Sequence, residues 1–188
     1  MTHEPFFTTF AADMRRAVHS RGRSSAGRRL LVLLGSRGLW ALAPYRFGRS
    51  LKTRPVPILQ PLLWGWFRAW EHMALLLTGT HIDVAAGIGP GLVLDDWESV
   101  WIGPGVVMGS GCTVRQMTCI LPGADGLAPV VGNSVSFGAA AKVVGGVRIG
   151  DNATIGAGAW VADDVPPDAV VVGNPGRYEV SLDGRQGA

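Results

Sequence analysis

Only two cysteines, Cys112 and Cys119, occur in the 188 residues, too few to staple a chain of this size. A secreted disulfide scaffold and a Cys-rich zinc module are therefore excluded. Charge is sparse as well: charged residues make up 16% against 47% apolar, which suits a packed core and not a disordered segment. No uninterrupted apolar run reaches the roughly 18 residues of a spanning helix. The opening Met1-Thr2-His3-Glu4-Pro5 lacks the basic segment and apolar stretch of a secretion signal, so a cytoplasmic protein is expected. No cluster has metal-ligand spacing, and no metal finger or aromatic-interleaved basic motif points to nucleic acid. The length suits one domain, or one domain with a helical appendage.

What the chain does have is glycine, 27 residues or about twice the usual share. It also has an uneven charge. Residues 1–54 hold 11 of the 17 Lys and Arg against Glu4 and Asp13 alone, a balance of +9, and residues 55–188 carry −6. Basic residues so placed can meet an anionic lipid surface, lie on a solvated helix face, or pair with the acidic remainder.

The first part reads as helices. Apolar residues recur at three- and four-residue spacing over 6–20 and 28–50, with Ser24, Ser25 and Gly27 marking a loop between them. Pro55 and Pro57 exclude a helix interior at 53–57. A stripe then follows: Leu59, Leu62, Leu63, Trp66, Phe67, Trp70, Met73, Ala74 and Leu77. Trp64 falls outside it, and Arg68, Glu71 and His72 give a polar side. The tryptophans suit packing against the second half or a partner subunit. Peripheral membrane contact through 1–77 is the alternative.

From residue 82 a six-residue repeat takes over. Ile82, Ile88 and Leu94 are followed after a step of eight by Ile102, Met108, Val114 and Ile120. After a step of eleven come Val131, Phe137, Val143, Ile149, Ile155 and Val161. A helix has no use for a period of six. A coil with three flat faces does, because each hexapeptide supplies one short strand and one corner. The aliphatic side chain points inward and stacks on its counterpart about one coil of eighteen residues later, while glycine and small residues fill the corners. The expected fold is mainly β: a parallel β-helix prism with an α-helical N-terminal region capping one open end. The chain divides as 1–80 helical, 81–175 β-helix and 176–188 tail.

The Ile-Gly-x-Gly repeats ending in Asp163-Asp164-Val165-Pro166-Pro167-Asp168 and Gly173-Asn174-Pro175-Gly176-Arg177 resemble the hexapeptide-repeat acyltransferases, which fold as a left-handed β-helix. More narrowly, 81–177 resembles serine acetyltransferase, on the stretches 81–96, 137–150 and the terminal motif. The resemblance implies a homotrimer, with a dimer of trimers as a further option, and active sites between neighbouring prisms. It implies acetyl-CoA as co-substrate, no permanently bound cofactor, and a small-molecule acceptor. The matching coenzyme positions are Gly138, Ala139, Gly156 and Ala157, although small corner residues belong to any such repeat.

The catalytic positions depart from the family's pattern. Members use a His in Leu-Asp-His, oriented by an Asp fifteen residues earlier, to take the acceptor hydroxyl proton. Here Asp96 stands where the His is expected and His81 where the Asp is expected. The expected arrangement is a dyad with His81 as base and Asp96 fixing its tautomer; a structural pair, or no contact, are the other readings. Asp95 matches an acid that helps bind the acceptor, or is a loop Asx-turn residue; Asp83 occupies the position of a second family His and is an acceptor-binding candidate, and Glu98, which has no family counterpart, is an option for a substitute carboxylate. The family's Arg-His pair, which grips the serine carboxylate, is replaced by Leu127-Ala128 before Pro129. Arg115 is an exposed strand residue or its replacement. Trp97 and Trp101 line an acceptor pocket or pack between subunits, and the cysteines are core or face residues. Three functions fit: a CoA-dependent O-acyltransferase acting on serine or a relative, an O-acetyltransferase of a sugar or glycan precursor, and a trimeric scaffold that lost its base.

Overall fold

The computed structural model describes residues 6–20, 37–53, 59–95 and 99–180. Its larger part is a three-faced prism of short strands. The first coil is β1 (His81–Ile82), β2 (Gly87–Ile88) and β3 (Val93–Asp95), and the second is β4 (Trp101–Ile102), β5 (Val107–Met108) and β6 (Thr113–Arg115). Then come β7 (Cys119–Leu121), β8 (Val130–Val131) and β9 (Ser136–Phe137), followed by β10 (Lys142–Val144), β11 (Arg148–Ile149) and β12 (Thr154–Ile155). The last turn is β13 (Trp160–Val161) and β14 (Ala169–Val172), closed by β15 (Arg177–Val180). Each strand pairs in parallel with its counterpart one coil on. The first face is β1-β4-β7-β10-β13, the second β2-β5-β8-β11, and the third β3-β6-β9-β12-β14. Among the described strands only β15 runs antiparallel, as a hairpin on β14.

The hexad sets this architecture directly. All thirteen repeat positions are buried, and they stack in columns in the register of the strands. Ile82, Ile102, Ile120, Val143 and Val161 form one column. Leu94, Val114, Phe137, Ile155 and Val171 form another. The step of eight falls between β3 and β4 and the step of eleven between β7 and β8, and both leave the columns unbroken. The corners need a left-handed backbone, which Gly158 adopts at φ 67° and Ala140 at φ 58°.

Among the described residues three helices precede the prism: α1 (Phe6–Ser20), α2 (Arg37–Thr53) and α3 (Gln60–Thr78). The expected second helix is thus observed from 37; its portion 28–36 lies outside the described residues. Helices α1 and α2 cover the open edge of the first coil and satisfy its backbone groups. Asp13 accepts the N–H groups of Gly91 and Leu92 at 2.8 and 2.9 Å. Arg46 donates to the carbonyls of Ile88 and Gly89 and pairs with Asp13 at 2.9 Å. Arg16 donates to Gly91 and Cys112, Arg49 to Ala86, and the Tyr45 hydroxyl to Ala86. Several of the basic residues in 1–54 are therefore the cap of a β-helix end, which would otherwise present unpaired strand groups.

Helix α3 corrects the expected stripe. Its buried residues are Phe67, Ala74 and Thr78, and Trp64, half-buried, meets the Phe67 ring edge-on at 5.2 Å. Trp66, placed in the stripe, is 67% exposed, as are Leu62, Met73 and Leu77 to similar degrees. The helix is apolar around most of its circumference, so periodicity alone could not say which side packs on α2. Trp70 packs on Phe47 and His72 sits on the exposed side, its Nδ1 2.8 Å from the Arg68 carbonyl oxygen. Among the described residues no helix is long and apolar enough to cross a membrane.

Candidate active site

The edge between the third and first faces carries most of the candidate residues. β3 ends there at Asp95, one coil above Arg115–Thr118, followed by Gly138–Ala141 and Gly156–Ala159. Backbone bonds stack these corners: Ala140 N–H donates to the Gln116 carbonyl at 2.9 Å and Gly158 N–H to the Ala139 carbonyl at 2.8 Å. The glycines have a packing reason to be small. A Cβ on Gly138 would lie 2.5 Å from the Ala157 nitrogen, and one on Gly156 2.9 Å from the Val171 oxygen. Ala139 and Ala157 are less confined and stand half-buried and exposed on the outside of the corner.

Just past this edge, the first residue of every first-face strand points outward. His81, Trp101, Cys119, Lys142 and Trp160 follow one another in register. The His81 and Trp101 rings are 5.3 Å apart, and the Lys142 ammonium lies 5.8 Å from the centre of Trp160. Such a column of aromatic and basic side chains beside a corner of small residues is a surface on which an extended ligand with an anionic end can lie.

His81 is placed by both neighbours of β1. Its N–H donates to Val100 at 2.8 Å in the next coil, and helix α3 ends just before it at Gly79, whose left-handed φ of 66° turns the chain into the strand. That turn brings Glu71 of α3 to the ring, with Oε1 3.9 Å from Nδ1. Glu71 is a functional candidate that the sequence reading left on a solvated polar side. Ten residues and a helix cap separate it from His81, and no motif spans them. Gln116 was also missed: its Oε1 is buried on the coil edge without a hydrogen-bond partner among the described residues.

The other expected residues fall out as follows. The Asp95 backbone ends β3 in register with Arg115, which is exposed. The Asp95 side chain and all of Asp96, Trp97 and Glu98 lie outside the described residues, so the His81–Asp96 dyad does too. Asp83 stands at the opposite edge of the first face, where its Oδ1 accepts the Ala85 N–H at 2.7 Å in a tight turn. Leu127, in the shortened loop, is 60% exposed, and the loop is closed by Gly123 N–H donating to the Leu127 carbonyl. Cys112 is a core residue whose thiol burial pushes upward in pKa, and Cys119 lies on the first face; both are free thiols.

The prism and this edge define a class, the hexapeptide-repeat transferases. Residues 128–163 match the bacterial transferase hexapeptide (six repeats) family. Over 176 residues the chain is 37% identical to the serine acetyltransferase of Synechococcus elongatus, covering 91% of this chain and 68% of that one. The crystal structure of Neisseria gonorrhoeae serine acetyltransferase in complex with serine superposes with a TM-score of 0.78 at 28% identity, over 93% of this chain and 69% of that one. A serine acetyltransferase in complex with CoA has the same fold, with a TM-score of 0.74 at 24% identity, over 93% and 69% of the two chains. The chain belongs to the serine acetyltransferase family, and it is an acyltransferase with that family's left-handed β-helix.

Proposed function

We propose that the protein moves the acetyl group of acetyl-CoA to the hydroxyl of serine or a closely related small molecule, with His81 as general base. The observation that carries this reading is the position of His81. It heads the outward column that runs beside the corners Gly138–Ala139 and Gly156–Ala157, where the family's coenzyme contacts would fall. In this reading the pantetheine arm lies against Ala139 and Ala157, because only small side chains let it approach the backbone, and Gly138 and Gly156 keep the corners tight. Lys142 faces the anionic end. Asp95 binds the acceptor; Asp83, on the opposite edge, reaches an acceptor only from a neighbouring prism, and Asp96 remains the family-derived partner of His81.

The chemistry needs one base. His81 takes the hydroxyl proton as the oxygen attacks the thioester carbonyl. The tetrahedral intermediate collapses with cleavage of the C–S bond, and the imidazolium returns its proton to the departing thiolate. The products are the O-acetyl ester and CoA. Release of CoA thiol from acetyl-CoA, measured with serine, homoserine, related amino acids and simple sugars, tests this. Serine-dependent release is expected; no release with any acceptor, together with no acetyl-CoA binding, overturns it.

We also propose a cytoplasmic homotrimer. Two features support the trimer. Trp101 and Trp160 are 44% and 39% exposed on the first face, more aromatic surface than a solvated strand needs. The loop at 121–130, whose family counterpart holds the acceptor carboxylate, leaves the other edge of that face from the Asp95 corner, so a neighbouring prism would be needed to bring both to one acceptor. Light scattering is expected to give three times the chain mass, and a clean monomer overturns the inter-subunit site.

A further inference from the structure

We infer that Glu71 is the positioning residue of His81: its carboxylate holds the imidazole with the proton on Nδ1 and the lone pair on Nε2. This rests on the reading of His81 as base. Three observations lead to it. Among the described residues the Glu71 Oε1 is the carboxylate oxygen that faces the ring, 3.9 Å from Nδ1, and the Glu71 side chain is only 15% exposed. Its second oxygen is taken by Arg68, whose guanidinium donates to Oε2 at 3.1 Å, so Oε1 is left for the ring. Trp101 lies against the imidazole at 5.3 Å between centroids and limits its rotation.

The physical consequence follows from where the two ring nitrogens stand. A carboxylate beside Nδ1 favours the tautomer that carries its proton there. Nε2, on the far side of the ring, is then the unprotonated nitrogen and can accept a hydroxyl proton. When Nε2 is protonated during turnover, the adjacent carboxylate stabilises the imidazolium. At 3.9 Å the contact is longer than a hydrogen bond, and about 1 Å of side-chain movement closes it. Catalytic hydrogen bonds commonly tighten in this way when substrate binds. The exchange of His and Asp at positions 81 and 96 therefore does not leave the base without a carboxylate. Helix α3 supplies one, and the left-handed turn at Gly79 puts it there.

The test uses the full chain with ¹⁵N-labelled histidine. Two-bond ¹H–¹⁵N correlation reads the His81 tautomer without needing turnover, and steady-state kinetics with the best acceptor reads kcat and KM. In the parent the Nδ1–H form is expected. In Glu71→Leu the signal is expected to move toward the Nε2–H form, with kcat lower by about 10–100-fold, the usual scale for a group that orients another, and KM for acetyl-CoA unchanged. Glu71→Gln, which keeps an acceptor oxygen, is expected to recover part of the rate and the parent tautomer. If Glu71→Leu does not fold, Arg68→Ala takes its place: it loosens the carboxylate from the exposed side and is expected to lower kcat a few-fold with the same tautomer drift. A folded Glu71→Leu protein with the parent's tautomer and kcat overturns the inference and leaves the base reading standing. A parent that acetylates no acceptor overturns the base reading, and a Glu71-dependent tautomer would then record a purely structural pair.

Discussion

His81→Ala is expected to lower kcat for serine-dependent CoA release by about 10²–10⁴-fold, the range a positioned general base contributes. KM for acetyl-CoA is expected to stay within about twofold, because the corners proposed for the coenzyme, at Ala139 and Ala157, lie further along the prism. Stability is expected to change little, since the His81 side chain is 29% exposed and packs on Trp101 alone among the described rings. Asp96→Ala separates two arrangements of the same base. If Asp96 orients His81, its loss costs as much as the loss of Glu71; if Glu71 suffices, the Asp96 variant keeps most of the rate. Turnover by His81→Ala at the parent's rate would remove the base from this position and return attention to the acids at 95–98. A thiol-release assay over a range of acetyl-CoA concentrations decides between these outcomes.

Arg46→Ala is expected to cost about 3–5 kcal/mol of unfolding free energy in urea denaturation, the scale for breaking a buried ion pair from one side. Asp13 is fully buried and Arg46 is 4% exposed, so removal of the guanidinium leaves a carboxylate in the interior. The same substitution strips the carbonyls of Ile88 and Gly89 of their donor at the open edge of the first coil. Replacing both partners with apolar residues therefore does not restore stability here, in contrast with pairs that bond only each other. The pH dependence has a definite sign. Burial pushes the Asp13 carboxyl above its ordinary value, against the pull of Arg46 and of the Gly91 and Leu92 N–H groups. A carboxyl with a raised pKa binds its proton more tightly folded than unfolded, so its ionisation weighs against folding as pH rises through the folded value. Without Arg46 that weight grows. The deficit of Arg46→Ala is thus largest near neutral pH and narrows as the pH falls toward about 4, the unfolded carboxyl range. A deficit below about 1 kcal/mol, or one constant with pH, would show that the pair does not hold the cap.

The repeat was legible because it is local geometry repeated. One inward side chain, one corner and one short strand per hexad is a rule that each six residues obey on their own, and thirteen positions obeyed it through two insertions. The matching stretches 81–96 and 137–150 then carried the family. The helices were legible as helices for the same reason. Their orientation was not. Leu62, Trp66 and Met73 and the opposing Trp64 and Phe67 are all apolar, and only contact with α2 distinguishes the two sides. Of the candidate site, His81 stood out through its exchanged position, and Gly138, Ala139, Gly156 and Ala157 through the family resemblance, since small corner residues belong to any such repeat. Glu71 and Gln116 carried no signal.

The sequence by itself determined that this chain winds into a three-faced prism, where each coil turns, and which family it joins. Those properties depend on periodicity and on residues adjacent in the chain. Only the tertiary structure decided that Arg16, Arg46 and Arg49 close the first coil, that Asp13 is buried against Arg46, and that Glu71 stands beside His81. Each of these pairs residues separated by a helix, a cap or several coils. Their meeting is set by where α1, α2 and α3 come to rest on the prism edge, a result of packing and backbone hydrogen-bond demand that no local pattern encodes.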